Sequence, residues 1–228
     1  MKPRKIYPDC ARTHVLTFNH SRIAMKHYCL AKAELEQIKE KKYDFEAREN
    51  FCAMSEHIDV VCVFSAMAIE AYFNDYAAAC LGDSEFYDNF DRLSTISKFQ
   101  LIAKFILNVE LDKSKAYYSH LKALIKERDS LVHGKSTAFV YDSDLYVRRD
   151  GNSDIPELPG VDADEVHKDF KRAQNAIKAL RDIAEFFDSI DYNASAKFKL
   201  LNCSYLSAKT KDYVALIIKD FHIAGDFK

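Results

Sequence analysis

The chain has no tryptophan, and its 228 residues include only 5 glycines and 4 prolines. Folds rich in β-turns draw heavily on glycine and proline, so this scarcity argues against an all-β fold and predicts long helices. The formal net charge is only −2. The chain therefore lacks the overall basic field of most nucleic-acid-binding proteins, and any contact with RNA would depend on a local basic patch.

Several functional patterns are also missing. The six cysteines form no CxxC pair or zinc-ligand spacing, and there is no HExxH motif or carboxylate cluster. We therefore expect reduced core thiols, no metal and no cofactor. The N-terminus carries no apolar run typical of a signal peptide, and no uninterrupted apolar segment approaches about 20 residues. The sequence predicts a cytoplasmic protein without a membrane partner.

What the chain does have is a high apolar content, 48% hydrophobic residues with 16 Phe and 13 Tyr, enough for a sizeable core. Apolar residues recur at steps of three and four, which indicates amphipathic helices. The predicted helices are Arg12–Lys42, Phe45–Leu81, Ser94–Leu107, Lys113–His133 and one from near Asp162 to about residue 190. We predict a single all-α domain spanning residues 12–190.

Three segments fall outside this helical pattern. Residues 1–11 carry two prolines and are predicted to form an N-terminal arm. After Gly134, two short apolar runs, Phe139–Tyr141 and Leu145–Val147, are separated by Asp142–Asp144 and predict a small β-hairpin at residues 139–149. Residues 191–228 are predicted to form a C-terminal appendage, with a strand at Phe198–Leu201 and a short helix near Tyr205–Phe221.

The helix Phe45–Leu81 is apolar all round at its centre, which predicts burial on two sides. Glu70 and Asn74 lie one turn apart on the face opposite its main stripe. They are either a polar pair at the rim of the helix or a pair that borders a site or an interface. In the following helix, Lys98 and Lys104 lie off the apolar stripe, and we expect both to be solvated.

Arg128 lies where the apolar stripe of its helix should continue, between Ile125 and Val132. A guanidinium keeps its charge, so at a core-facing position it needs an anionic partner or a wet cleft. Asp129 points about 100° away and cannot satisfy the arginine by simple helix geometry. The remaining partners for Arg128 are a carboxylate from another helix, with Glu70 as the candidate, or an anionic ligand.

His133 lies five residues after Arg128, about 140° further round an ideal helix. Gly134 can end the helix there and let the imidazole turn towards the arginine. Residues 113–135 contain six Lys or Arg and two acidic residues. Within this local basic patch, Lys126 and Lys135 are candidate RNA-binding residues.

An arginine and a histidine without a metal can carry out phosphoryl transfer on RNA. A base withdraws the proton of the 2′-OH, an acid protonates the leaving 5′ oxygen, and a guanidinium stabilises the charge that develops on the phosphate. The alternative is purely structural, in which Arg128 forms a buried ion pair and His133 caps the helix.

The segment Glu127–Gly134 resembles the signature of the HEPN superfamily, R-x4-6-H with a polar residue directly after the arginine. The segment Ala68–Asn74 is similar to the second helix of such domains, where an acidic residue often lies close to the motif. The resemblance covers roughly residues 45–190. It implies that Arg128 and His133 are the catalytic pair and that Asp129 is the polar residue after the arginine. Glu70 is assigned as the nearby acidic residue only from its position on the second helix.

The resemblance implies an up-and-down bundle of four to five long helices that dimerises and brings two motifs into one cleft. It further implies a metal-independent endoribonuclease that cleaves RNA by 2′-OH attack, leaves 2′,3′-cyclic phosphate ends and acts in a toxin–antitoxin or phage-defence system. The expected partners are RNA, a second copy of the chain and an antitoxin protein. Because the superfamily includes inactive members, the alternative is a non-catalytic helical binding or regulatory module.

Overall fold

The computed structural model describes residues 15–133, 160–191 and 196–201, and every secondary-structure element in these ranges is helical. This confirms the all-α class. The predicted arm at 1–11, the hairpin at 139–149 and the helix near 205–221 lie outside the described residues.

Seven α-helices are described. They are α1 Val15–Glu40, α2 Arg48–Leu81, α3 Asp83–Asn89, α4 Thr95–Leu101, α5 Ala116–Val132, α6 Ala163–Ile190 and α7 Ala196–Leu201. Five of them, α1, α2, α4, α5 and α6, correspond to the five predicted helices. A 3-10 turn, Phe45–Ala47, leads into α2, and a π-helical turn, Ile102–Ile106, continues α4.

Local capping explains several of these helix ends. The Ser94 hydroxyl accepts a hydrogen bond from the backbone N–H of Ser97 at the start of α4. At the start of α6, the Asp162 carboxylate accepts from the N–H of Asp164 at 2.8 Å. Helix α2 ends at Gly82, whose φ of 92° lies in the region that favours glycine.

Helix α2 is the centre of the described fold and contacts every other described helix. Its partner α1 runs antiparallel, because Thr17 faces Asp75 while His27 faces His57. The segment Phe45–Leu81 is long and apolar enough to cross a membrane by length and composition, a test that the core helix of a soluble protein also passes.

Helices α5 and α6 pack against α2 and against each other. They run antiparallel, because His120 faces Asp182 while Glu127 faces Arg172. On α6 the predicted apolar stripe from Phe170 to Phe187 is buried. The last turns of α5, which carry Arg128, therefore contact both α2 and α6.

Aromatic side chains join α2, α4, α5 and α6 into one core. Phe73 stacks on Phe99 with ring centroids 5.3 Å apart. Phe99 in turn meets Phe186 at 5.1 Å, and Phe186 meets Tyr117 at 4.7 Å. Such ring pairs stabilise beyond the area they bury, so this cluster fixes α4 and the start of α5 against α2 and α6.

Two local predictions were wrong. No helix was predicted between Phe45–Leu81 and Ser94–Leu107, where a polar connector was expected, but Asp83–Asn89 forms α3. Phe198–Leu201 was expected to be a strand, but it belongs to α7. The backbone N–H of Ala196 donates to the Asp188 carboxylate at 2.6 Å, so a side chain of α6 supports the start of α7.

Candidate functional site

Arg128 lies at the C-terminal end of α5, with its side chain 23% exposed, between the carboxylates of two acidic residues. Its Nη2 is 3.7 Å from Oε2 of Glu70 on α2, and its Nε is 3.2 Å from Oδ1 of Asp129. The structure therefore brings Arg128 together with Glu70, the partner suggested by helix position.

Asp129 is closer to Arg128 than its helix angle suggested. The expectation that Asp129 could not neutralise the arginine was wrong. The two side chains leave the helix in different directions, but both are flexible enough to approach each other. The contact is an ion pair without hydrogen-bond alignment, since the buried Nε of Arg128 has no hydrogen-bond partner. Asp129 thus supplies charge, while one donor of the guanidinium remains unused.

The apolar stripe of α5 does not continue past Arg128 as expected. Leu121 and Leu124 are buried, but Val132 is 52% exposed. Arg128 therefore lies where the buried part of α5 gives way to solvent, and not on a fully core-facing stripe. This position lets the guanidinium be partly desolvated and still reach a ligand.

Lys98 is a site residue that the sequence interpretation missed. It was expected to be solvated, yet its side chain is 3% exposed and its Nζ lies 3.3 Å from Oε1 of Glu70. Its helical spacing contained the signal, because Thr95 and Ile102, three residues before and four after it, are both buried. Glu70 therefore bridges two cations, one on α4 and one on α5.

The remaining predicted residues are distributed around this cluster. Asn74, one turn beyond Glu70 on α2, has a buried side-chain oxygen with no hydrogen-bond partner, so an acceptor is available there. Lys126 is exposed on α5. Gly134 and Lys135 lie outside the described residues.

His133 caps the C-terminus of α5. Its backbone N–H donates to the carbonyl of Asp129 at 3.0 Å, and its side chain is exposed. Among the described residues, no hydrogen bond or ion pair joins His133 to Arg128. Five residues rise about 7.5 Å along a helix. Within one chain, Arg128 and His133 are therefore separated and do not form a joined pair.

A second charged cluster anchors the motif end of α5. Arg172 on α6 contacts Glu127 and Asp59, each at 2.7 Å from its Nη2, and also contacts Asp169. Burial opposes the charge of Arg172, but hydrogen bonds to Asp169 and Asp59 raise its pKa. Sequence reasoning missed this cluster, because its members come from three helices.

One described cleft lies away from the cluster around Arg128. It has a volume of about 590 Å³ and is lined by Gln100, Lys104, Asn108, Val109, Glu110, Leu111 and Lys113. None of the predicted site residues lines it. The candidate site is a charged surface at a helix end and not an enclosed pocket.

Within the described ranges, no three His, Cys, Asp or Glu residues are grouped so that they could hold a metal ion. No family model, curated protein or solved structure matches the chain. The geometry of Arg128, Glu70, Lys98 and His133 is therefore the basis on which a function is proposed.

Proposed function

We propose that the chain is a HEPN-type, metal-independent endoribonuclease. The observation that carries the proposal is the pairing of Arg128 with Glu70 at the end of α5, five residues before the exposed His133. This pairing unites the R-x4-H motif with the acidic residue that its resemblance implied on α2.

In this proposal His133 exchanges the protons and Arg128 stabilises the phosphate. A neutral imidazole withdraws the 2′-OH proton, and an imidazolium protonates the 5′ oxygen as it leaves. The guanidinium binds the phosphate through two parallel hydrogen bonds, which strengthen as negative charge develops on its oxygens. Lys126 and Lys135 attract the RNA backbone.

The charge arrangement allows Arg128 to exchange its partner. The buried donor at Nε has no hydrogen bond within the described chain, so a movement of the Asp129 side chain that uncovers it would let it bind a phosphate oxygen. If the guanidinium leaves Glu70 for a phosphate, Lys98 still lies 3.3 Å from that carboxylate. Glu70 then does not become an unpaired, half-buried charge, which would oppose the movement.

We further propose that the active form is a homodimer in which two such sites face each other. Arg128 and His133 do not contact each other within one described chain, so a second motif would complete the catalytic cleft. Two exposed apolar side chains flank the site: Met67, 38% exposed and three residues before Glu70, and Val132, 52% exposed and four residues after Arg128. A two-fold dimer would bury this rim.

Introducing charge at Met67 tests the dimer. Met67→Glu and Met67→Lys should both convert a dimer into a monomer, because a two-fold interface would place two like charges close together. The readout is the molar mass from light scattering. Tyr87→Glu is the matched control, since Tyr87 is exposed on α3, and it should leave the mass unchanged. A monomeric parent chain, or a dimer that survives both Met67 substitutions, would refute this interface.

The activity itself is tested by incubating the chain with RNA in excess EDTA. We expect cleavage of the RNA and no cleavage of DNA of the same sequence, because the DNA lacks the attacking 2′-OH. Cleavage that needs an added divalent metal, or equal cleavage of the RNA and the DNA, would contradict the proposed chemistry.

The second candidate function is a non-catalytic binding or regulatory module. It is favoured by one observation: Arg128 already lies beside two carboxylates, Glu70 and Asp129, as in a structural ion pair. This module would bind RNA or a protein without cleaving it.

The proposed setting is the cytoplasm, within a toxin–antitoxin or phage-defence system that includes an antitoxin protein. Growth arrest on expression, relieved by His133→Ala, would favour the nuclease. If neither the parent chain nor the His133→Ala variant slows growth when it is expressed, the binding or regulatory module is favoured.

A further inference from the structure

His27 on α1 and His57 on α2 face each other across the seam between these two helices. Their Nδ1 atoms are 3.2 Å apart, and their rings are nearly perpendicular, with centroids 5.0 Å apart. Both side chains are half-buried. Neither residue belongs to the Arg128 cluster.

The separation of the two nitrogens is that of two ligands on one metal ion. Zinc binds imidazole nitrogen at about 2.0–2.1 Å, and two such bonds at a tetrahedral angle place the nitrogens about 3.3–3.4 Å apart. A right angle at the metal brings them to about 2.8–3.0 Å with the same bond lengths. The observed 3.2 Å lies between these two values.

The electrostatics of the pair also suit a metal ion. Two protonated imidazoles at this distance would repel each other, so at least one ring has to stay neutral. Burial, together with His57 and Lys26, lowers the pKa of His27, which keeps its nitrogen lone pair available near neutral pH. Neutral imidazole is a ligand for zinc, nickel and copper, and it does not suit calcium or magnesium, which take oxygen ligands.

We propose that His27 and His57 form a two-histidine site for a borderline divalent metal ion of the zinc and nickel type. The two Nδ1 atoms provide two ligands, and water fills the remaining positions. Because the ligands come from different helices, the bound ion would link the middle of α1 to α2. The site is distinct from the proposed catalytic chemistry, which involves no metal.

Thermal unfolding with added NiCl2 tests this site, since imidazole nitrogen is a ligand that suits nickel. The full chain without a histidine tag should unfold about 3 °C or more higher in 1 mM NiCl2, because an ion bound only by the folded state stabilises it by mass action. His27→Gln and His57→Gln should each reduce the shift to under about 1 °C, with each variant compared with its own metal-free curve.

His167→Gln is the matched control, because His167 is exposed on α6 and, among the described residues, its ring hydrogen-bonds with the carbonyl of Ala163 on its own helix. This variant should keep the full nickel shift. No shift in the parent chain would show a hydrogen-bonded histidine pair and overturn the proposal. If His27→Gln and His57→Gln keep the full shift of the parent chain, the nickel binds elsewhere, and the proposal is overturned as well.

Discussion

Replacing His133 or Arg128 by alanine is expected to abolish most RNA cleavage. Loss of the proton-transferring imidazole should lower the rate about 10²–10⁴-fold. Loss of the guanidinium should lower it about 10²–10³-fold, because the charge that develops on the phosphate is then unpaired. Arg128→Lys should recover only part of the rate, since a lysine keeps the charge and loses the paired hydrogen bonds. The measurement is the single-turnover cleavage rate in EDTA.

Two controls separate loss of chemistry from loss of fold. His133→Ala changes an exposed side chain without a described partner, so its unfolding temperature should match that of the parent chain. His167→Gln and Lys171→Ala, both exposed on α6, should keep the parent rate. Full activity in both His133→Ala and Arg128→Ala would show that the motif has a structural role.

Replacing Arg172 by methionine is expected to have the largest effect on stability. The change leaves Asp59, Glu127 and Asp169 close together without their shared cation. Removal of one partner costs about 3–5 kcal/mol in a fully buried pair and about 0–1 kcal/mol in an exposed one, and we expect about 2–3 kcal/mol for this half-buried cluster. Thermal unfolding should shift down by about 4–10 °C.

The neighbouring Lys171→Ala is the matched control for Arg172, because its side chain is exposed and its removal should shift the unfolding temperature by less than about 1 °C. Asp169→Asn, added to Arg172→Met, should restore part of the loss by removing one of the repelling charges. Arg172→Met should also lower cleavage, since Glu127 then no longer holds the motif end of α5 against α6. An unchanged unfolding temperature would mean that the cluster is too solvated to anchor that helix.

The sequence was informative wherever a single helix decides the geometry. The spacing of apolar residues on α2 indicated its buried face, and the same periodicity placed Glu70 on the opposite face, where Arg128 meets it. The helix end at His133 followed from Gly134 alone. Such features depend on a 3.6-residue period that can be read directly from one chain.

The sequence was uninformative wherever several helices decide the outcome. Lys98 was expected to be solvated because it lies off the apolar stripe of its helix, but it is buried beside Glu70 on another helix, which offsets its charge. The apolar run Phe198–Leu201 is too short to distinguish a strand from a helix, and Asp188 on α6 supports the helical start. Asp129 shows the same limit, since side-chain flexibility and not helix angle determines its contact with Arg128.

The chemistry of the RNA ends produced in EDTA tests the central claim most directly. If the 2′-OH attacks with His133 and Arg128 as proposed, the upstream fragment will end in a 2′,3′-cyclic phosphate and the downstream fragment will begin with a 5′-hydroxyl. Mass spectrometry of a short defined RNA distinguishes these ends from others. Fragments with a 3′-hydroxyl and a 5′-phosphate, formed equally by His133→Ala, would show that water activated by other residues attacks the phosphate. That result would contradict the proposed site.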